Sequence, residues 1–387
     1  MRNFLSFLAE AASEEKLKHL EHAEDHPINA GAEGFKHAVN TLNAVHNKLL
    51  GKKSNVTVTT KYDGSPSIVF GHHPENGNFF VASKSAFNKN PKLNYSEEDV
   101  VHNHGHAPGL VEKLQAAYRH LHKVAPKKGV YQGDLMYTEG DVKERNGSLS
   151  FKPNTITYSA DKDSEHGQKI AKAKLGVVVH TEYKGDTLEG MKAQFGPSLD
   201  KFKEHQDVHL ISPHADLSKS EYSQEAQKKF AHHMKEAAAL HSGMGKYAHI
   251  EGHQEHIKTY INSTVRDQTT PGVEGYKLHL GRIQEREVNK LKSVAGQNKA
   301  RAKYQNLIDH VQENAHQFQQ TFDLHHHLQK AKDVLVNALD THEEFGHSID
   351  GTKSKGEGHV AVINNRPTKL VNRAEFSRAN FLLPKDR

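Results

Sequence analysis

The chain of 387 residues contains no cysteine and no tryptophan. Without cysteine there is no disulfide framework, no thiolate nucleophile and no thiolate metal site. Long apolar runs are missing too: no stretch approaches the ~18–20 uninterrupted apolar residues of a membrane-spanning helix. The opening Met1-Arg2-Asn3-Phe4-Leu5-Ser6-Phe7-Leu8-Ala9-Glu10 runs into acidic residues before an apolar core of signal-peptide length develops. A cytoplasmic protein with no membrane partner is therefore expected. An excess of one charge sign is also lacking. Lys and Arg number 52 against 47 Asp and Glu, a formal net charge of +5. That balance permits a phosphate-bearing partner without demanding one.

Histidine, by contrast, is abundant at 32 residues. The groups His102-Asn-His104-Gly-His106 and His325-His-His327 invite a zinc reading. Three consecutive imidazoles on a helix cannot point at one ion, and no thiolate is available to complete a tetrahedral set. Polar surface or partly buried positions are the expectation for most of them.

The length suits one large domain or two ordinary ones. Gly34 to Leu50 has helical spacing, with Phe35, Ala38, Val39, Leu42, Val45 and Leu49 near one face and Gly51 as a stop. The texture then changes to an antiparallel meander. Its strands are Asn55–Thr60, Ser67–Phe70 after a Gly-Ser-Pro-Ser turn, and Asn78–Ala82 after Asn76-Gly77. A helix over 110–124 follows, then strands at 129–137, 149–151, 155–158 and 175–180. From about Thr187 to Asp340 the reading is mostly helical, divided by Pro213, Pro271 and several glycines. Leu324, Leu328, Ala331, Val334, Leu335 and Ala338 form an apolar stripe there. Strand texture returns at His359–Ile363 and Pro367–Val371, flanking Asn364-Asn365 like the arms of a hairpin. The expected division is a β-rich core over 1–185, a helical insertion over 186–345, and a C-terminal hairpin over 346–387 that completes the core.

The sharpest local feature is Thr60-Lys61-Tyr62-Asp63-Gly64-Ser65. A lysine that ends a strand ahead of a glycine turn can serve as an amine nucleophile if its surroundings free the amine. By itself, Lys-x-Asp-Gly is equally a surface lysine before a turn. Further motifs follow in order. Phe80-Val-Ala-Ser-Lys84-Ser85 is a short strand ending in a basic residue, Tyr131-Gln-Gly-Asp134-Leu135 is an aromatic-x-Gly-acidic strand, and Gly176-Val-Val-Val-His180-Thr-Glu-Tyr183 is an apolar strand. Gly356-Glu357-Gly358-His359-Val360 leads to Lys369-Leu370-Val371. A rival for these last motifs is Val273-Glu274-Gly275-Tyr276 with Lys290-Leu-Lys292, but its surroundings read as helix; the second set has strand texture in both arms.

With these motifs the sequence resembles the covalent nucleotidyltransferase superfamily, the ATP-dependent RNA and DNA ligases and mRNA capping enzymes, over residues 55–183 and 356–373. The resemblance implies an α+β protein with an antiparallel-sheet, ATP-grasp-like ligase core carrying a large helical insertion. It implies that Lys61 takes up AMP from ATP as a phosphoramide, with Asp63 and Lys369 as further catalytic residues. Thr60, Gly64, Lys84, Asp134, His180 and Glu357 would hold the nucleotide, and Asp134 and Glu357 would hold Mg²⁺. His180 or Tyr183 would be available for base stacking, and Arg366 or Arg373 could supplement the single Lys369. Where this family has Arg and Glu, the chain has Lys84 and Asp134. The implied partner is a nucleic acid with 5′-phosphate and 3′-hydroxyl ends, RNA rather than DNA being favoured because no downstream barrel domain fits after Lys369. In the absence of such a domain, the helical insertion would grip the nucleic acid through Lys228-Lys229, Lys290, Lys292, Lys299, Arg301 and Lys303; with Glu and Asp interspersed, the same runs read equally as an ordinary charged helix surface. The alternative is a non-catalytic nucleic-acid-binding or virion-associated protein on a degenerate scaffold of the same kind. The opening residues also resemble the starts of many proteins of large tailed bacteriophages, which would make the host cytoplasm the location.

Overall fold

The computed structural model describes residues 20–245, 247–341 and 344–373. The chain folds into two compact units, each assembled from separated segments. The expected phage-like opening lies outside the described residues.

The first unit, 57–219 with 340–367, holds three sheets. Its central sheet uses β2 (Ser67–His72), β3 (Phe79–Ala82), β4 (Gly129–Thr138), β8 (Leu175–Lys184), β9 (Lys192–Phe195) and β10 (Val208–Ile211). The order is β10-β8-β4-β2-β3, with β9 also on β8; all pairings are antiparallel except β10 with β8. β8 is covered on both faces, which explains its unbroken Leu-Gly-Val-Val-Val opening. One face carries Ile68, Phe70, Tyr131, Leu135, Val177 and Val179 against Leu114, Ala117 and Leu121. Those three lie on the helix Pro108–Leu121, the second after Glu97–His104 in this unit. The other face holds a smaller cluster with Val69, Phe80, Val130, Tyr183 and Met191.

A second sheet, order β12-β11-β7-β6-β5, joins β5 (Lys143–Arg145), β6 (Ser148–Phe151), β7 (Thr157–Asp161), β11 (Gly346–Ile349) and β12 (Thr352–Lys353). A third sheet pairs β1 (Thr57–Thr60) with β13 (His359–Ile363), and β13 with β14 (Arg366–Leu370). Asn364 and Asn365 both adopt positive φ, 49° and 59°. Two consecutive left-handed residues are what a two-residue hairpin requires, and asparagine tolerates that region better than most side chains.

The second unit, 21–56, 220–339 and 368–373 among the described residues, is helical. In chain order its helices, numbered with the first unit's helices α2 (Glu97–His104), α3 (Pro108–Leu121) and α4 (Glu165–Lys172), are α1 (His26–Leu49), α5 (Gln224–Met244), α6 (Gln254–Asp267), α7 (Val273–Lys290), α8 (Val294–Glu313) and α9 (Ala315–Leu339). Phe35, Ala38, Leu42 and Val45 are buried on α1, as are Leu324, Leu328, Ala331, Leu335 and Ala338 on α9, so both expected stripes face inward. Ile257, Tyr260 and Ile261 pack with Tyr276 and Leu280, and with Phe318 and Phe322. Among the described residues no helix is long and apolar enough to cross a membrane.

Two boundaries differ from the sequence reading. The expected limit at 185/186 falls between β8 and β9, and the helical reading from Thr187 gives way to two more strands of the central sheet; the first long helix of the insertion starts at Gln224. β9 and β10 are only four residues each and are identified by their pairing with β8, which leaves too short a pattern to read locally. The helix over 26–49, placed with the core by the sequence reading, clusters with the helical unit instead.

Candidate active site

Lys61 follows directly on β1. Pairing with β13 runs from Thr57↔Val362 to Thr60↔His359, and the Lys61 N–H extends it by donating to the Gly358 carbonyl at 2.8 Å. Gly358 sits at φ 129°, a conformation that a side chain would strain, which explains glycine here. This register brings Glu357 beside Lys61, and its Oε1 pairs with the Lys61 amine. The amine side chain remains 25 % exposed.

The turn after Lys61 is held from two sides. Asp63 is buried; its Oδ2 accepts the Thr155 and Ile156 N–H groups (2.7 and 3.1 Å), and its Oδ1 accepts from Asn154 Nδ2 (2.8 Å). The Asp63 N–H donates to the Tyr158 hydroxyl at 2.7 Å. These bonds clamp the Lys61 loop to the β6–β7 turn, so Asp63 acts by positioning. Gly64 packs on β4: a Cβ added there would lie 2.6 Å from Asp134 Cβ and 3.0 Å from Met136 Sδ. Glycine lets the loop that carries Lys61 touch the strand that carries Asp134.

Asp134 forms the second wall. Ser67 stands opposite it on β2, where its hydroxyl donates to the Gly133 carbonyl at 3.5 Å and accepts from Gln132 Nε2 at 2.9 Å. On the other side, β8 has an extra residue: Gln132 pairs with Thr181 but Gly133 with Val179, leaving His180 in a bulge. Bulges re-aim side chains, and His180 Nε2 reaches 3.5 Å from Asp134 Oδ2. Burial pushes the Asp134 carboxyl up, but His180, Lys61 and Ser67 together hold it below its ordinary value. The Lys61 amine is near enough for its charge to act on that carboxylate. Gly133 leaves no room for a side chain, since a Cβ would lie 2.3 Å from the Val178 carbonyl oxygen.

Lys61, Glu357, Asp134 and His180 thus gather at one end of the sheets, with Thr60 and Gly64 beside them. Lys84 begins a short 3₁₀ turn just after β3 and is exposed. It lies at the same sheet end as Asp134, as the Ser67↔Asp134 and Val69↔Ala82 registers require. Lys369 is placed differently. The division between units crosses β14, and Lys369 falls with the helical unit, where its N–H donates to the Glu21 carbonyl (2.8 Å) and its charge acts on His22. Arg373 is committed there too, bidentate to Asp25 at 2.9 and 3.0 Å. Tyr183 is no open stacking platform: it is buried against Phe87 (4.5 Å between centroids), and its hydroxyl donates to Gln132 Oε1. The rival Glu274 and Lys290 lie on α7 of the helical unit, without the strand pairing that aligns Glu357. Ser67 and the His180 bulge were not apparent in the sequence; the Gly-Ser-Pro-Ser turn was the only local trace of the first.

Beside this cluster a small cavity is lined by Thr60, Tyr62, Asp216, Asp340, Glu344 and His359 among others. His359 Nε2 meets Asp340 Oδ1 at 3.0 Å, and the Tyr62 hydroxyl donates to Glu344 Oε2 at 3.3 Å. Among the described residues no three His, Asp or Glu side chains converge as a metal-binding group. His325 instead bonds Asp25 (3.1 Å), and His327 Nδ1 meets His233 Nδ1 (3.1 Å).

Fold and site define the class: an α+β protein whose antiparallel-sheet unit presents one lysine among two carboxylates and an imidazole. Within that class the chain belongs to a family of unknown function, DUF6267, whose family model matches residues 17–385. No curated protein and no solved structure matches it.

Proposed function

We propose that the protein is an ATP-dependent polynucleotide ligase, preferring RNA to DNA, that works through a covalent lysyl-AMP. The observation that supports this reading is the gathering of Glu357, Asp134 and His180 around Lys61, in the order of motifs that resembles the nucleotidyltransferases. The Lys61 amine first gives up a proton, for which Glu357, in contact with it, is the nearest acceptor. The freed nitrogen attacks the α-phosphorus of ATP; the N–P bond forms, the bond to the β-phosphate oxygen breaks, and pyrophosphate leaves. An oxygen of a 5′-phosphate end then takes the adenylate, restoring the lysine. Attack by a 3′-hydroxyl on that activated phosphate joins the ends and releases AMP.

Such phosphoryl transfers ask mainly for positioning and charge neutralisation. Thr60, Gly64, Lys84 and His180 would line the nucleotide's path. Asp134 and Glu357 suit Mg²⁺, which accepts one or two carboxylates and completes its shell with phosphate oxygens and water; bound there it would offset charge on the phosphates. Lys369 enters this reading only as a residue of β14. The protein would act in the cytoplasm, the host's if it is phage-encoded. The test is incubation with α-labelled ATP and Mg²⁺ followed by denaturing electrophoresis. A labelled protein is expected, with label abolished by Lys61→Ala; no label from ATP or GTP overturns the reading in favour of a non-catalytic scaffold.

A further inference from the structure

Residues 277–303 contain eight Lys or Arg against two Glu, a net charge of +6. The whole chain carries +5, so the other 360 residues together carry −1. Over its whole length, Val273–Glu313, the hairpin made by α7 and α8 carries +3, because Glu274, Asp309 and Glu313 lie at its open end; its basic groups are gathered toward the connection between the two helices. Leu278, Arg282, Arg286 and Lys290 recur every four residues along α7 and are all exposed, so they form one outer stripe. Lys292 follows in the connection, and Lys299, Arg301 and Lys303 are exposed on α8. The helices are tied together where Gln284 Nε2 donates to the Arg301 carbonyl at 2.9 Å. Glu287 experiences Lys290, Arg286 and Lys303 together, so the basic groups of the two helices share one neighbourhood.

We infer that the α7–α8 hairpin is a clamp for the phosphate backbone of a nucleic acid, independent of base sequence. From Lys277 to Lys290 the helix rises about 20 Å, over which a nucleic-acid strand presents about six phosphates. Base reading is not provided for: the one aromatic ring of α8, Tyr304, is buried, so stacking contributes nothing. Other occupants fit less well. Leu278, Leu291 and Val294 are exposed, but Leu278 lies about 20 Å along the helix from the other two, so no contiguous apolar face exists to enter a lipid surface. A second copy of the hairpin would meet its own charge. The inference rests on the ligase reading only for the role of the bound polynucleotide; the charge distribution stands without it.

The experiment measures anisotropy of a fluorescent mixed-sequence oligonucleotide, single-stranded and duplex, with full-length protein over a salt series. The variant combines Arg282→Gln, Arg286→Gln and Lys299→Gln, and Lys228→Gln, Lys229→Gln and Lys235→Gln together are the charge-matched control on α5. The hairpin variant is expected to lose at least tenfold in affinity, and its log–log salt slope to fall by roughly two to three. The α5 control should bind as the parent does. Equal losses in the α5 control, an unchanged hairpin variant, or binding to phosphatidylserine vesicles in preference to oligonucleotide would each overturn the inference. Covalent labelling of Lys61 is read separately: hairpin-dependent binding without label removes the ligase reading alone, and label without hairpin dependence removes the clamp alone.

Discussion

Lys332 sits in the middle of the apolar stripe of α9, fully buried, with Nζ 2.7 Å from Oε1 of the equally buried Glu24. Arg373 is 3.6 Å from the same oxygen, though its guanidinium is already engaged by Asp25. Asp333 stands 3.7 Å from the lysine amine. Three carboxylates therefore face two permanent cations. Burial pushes Glu24 up, but Lys332, His22 and Arg373 outweigh it and hold the carboxyl at about 2. Lys332→Met keeps the length and apolar stem of the side chain and removes only the amine. Glu24, Asp25 and Asp333 would then share one guanidinium. Breaking a buried pair from one side costs about 3–5 kcal/mol, because the remaining charge stays desolvated. At about 2–4 °C per kcal/mol for a unit of this size, the melting temperature should drop by roughly 10 °C. The assays are urea unfolding of the full chain for the free energy and a thermal scan for the melting temperature, both followed by helical circular dichroism. The double variant Glu24→Gln, Lys332→Met should recover part of the loss, since the uncompensated carboxylate is gone. A cost below about 1 kcal/mol for the single variant would show that water reaches Glu24 and that the network is not the sealed one described.

Other consequences are equally direct. Gly64→Ala forces a Cβ against Asp134 and Met136; it should cost about 1–3 kcal/mol and abolish Lys61 labelling, and a fully labelled, equally stable variant would refute the close approach. Asp63→Ala removes three accepted hydrogen bonds to the 154–156 turn and should lower stability by at least about 2 kcal/mol, whereas Lys61→Ala should leave the unfolding midpoint nearly unchanged. Buried His253 is held down at about 4, chiefly by burial and then by His310, His256 and His249. The unfolded chain takes up that proton near 6.5 and the native chain only near 4, so this contribution is intact above 6.5 and drains as the pH falls between those values. Urea midpoints should decline across that window; in His253→Asn the decline should be shallower, and parallel curves would count against the assignment.

The lysine loop, the β2 and β3 arms of the expected meander, the Asn364-Asn365 hairpin and the stripes of α1 and α9 were legible in the sequence, although β1, expected as the meander's first strand, pairs with β13 in another sheet. Each is specified within a few residues, by side-chain alternation, helical spacing or a turn's demand for positive φ. The pairing of β1 with β13, across about three hundred residues, was not legible in the sequence. Other features had no local signal. The His180 bulge exists because β8 carries one residue more than β4 between two pairings, and register belongs to two strands at once. Asp63 reads as chemistry until the β6–β7 turn is seen filling its carboxylate. Lys332 reads as an interruption of an apolar face until Glu24 arrives from another segment. Lys369 and Arg373 read as site cations, yet they cluster with the helical unit. Sequence by itself determined which elements form and which lysine stands at a strand end. Tertiary structure alone decided which charges meet, because burial and pairing are set by segments far apart in the chain.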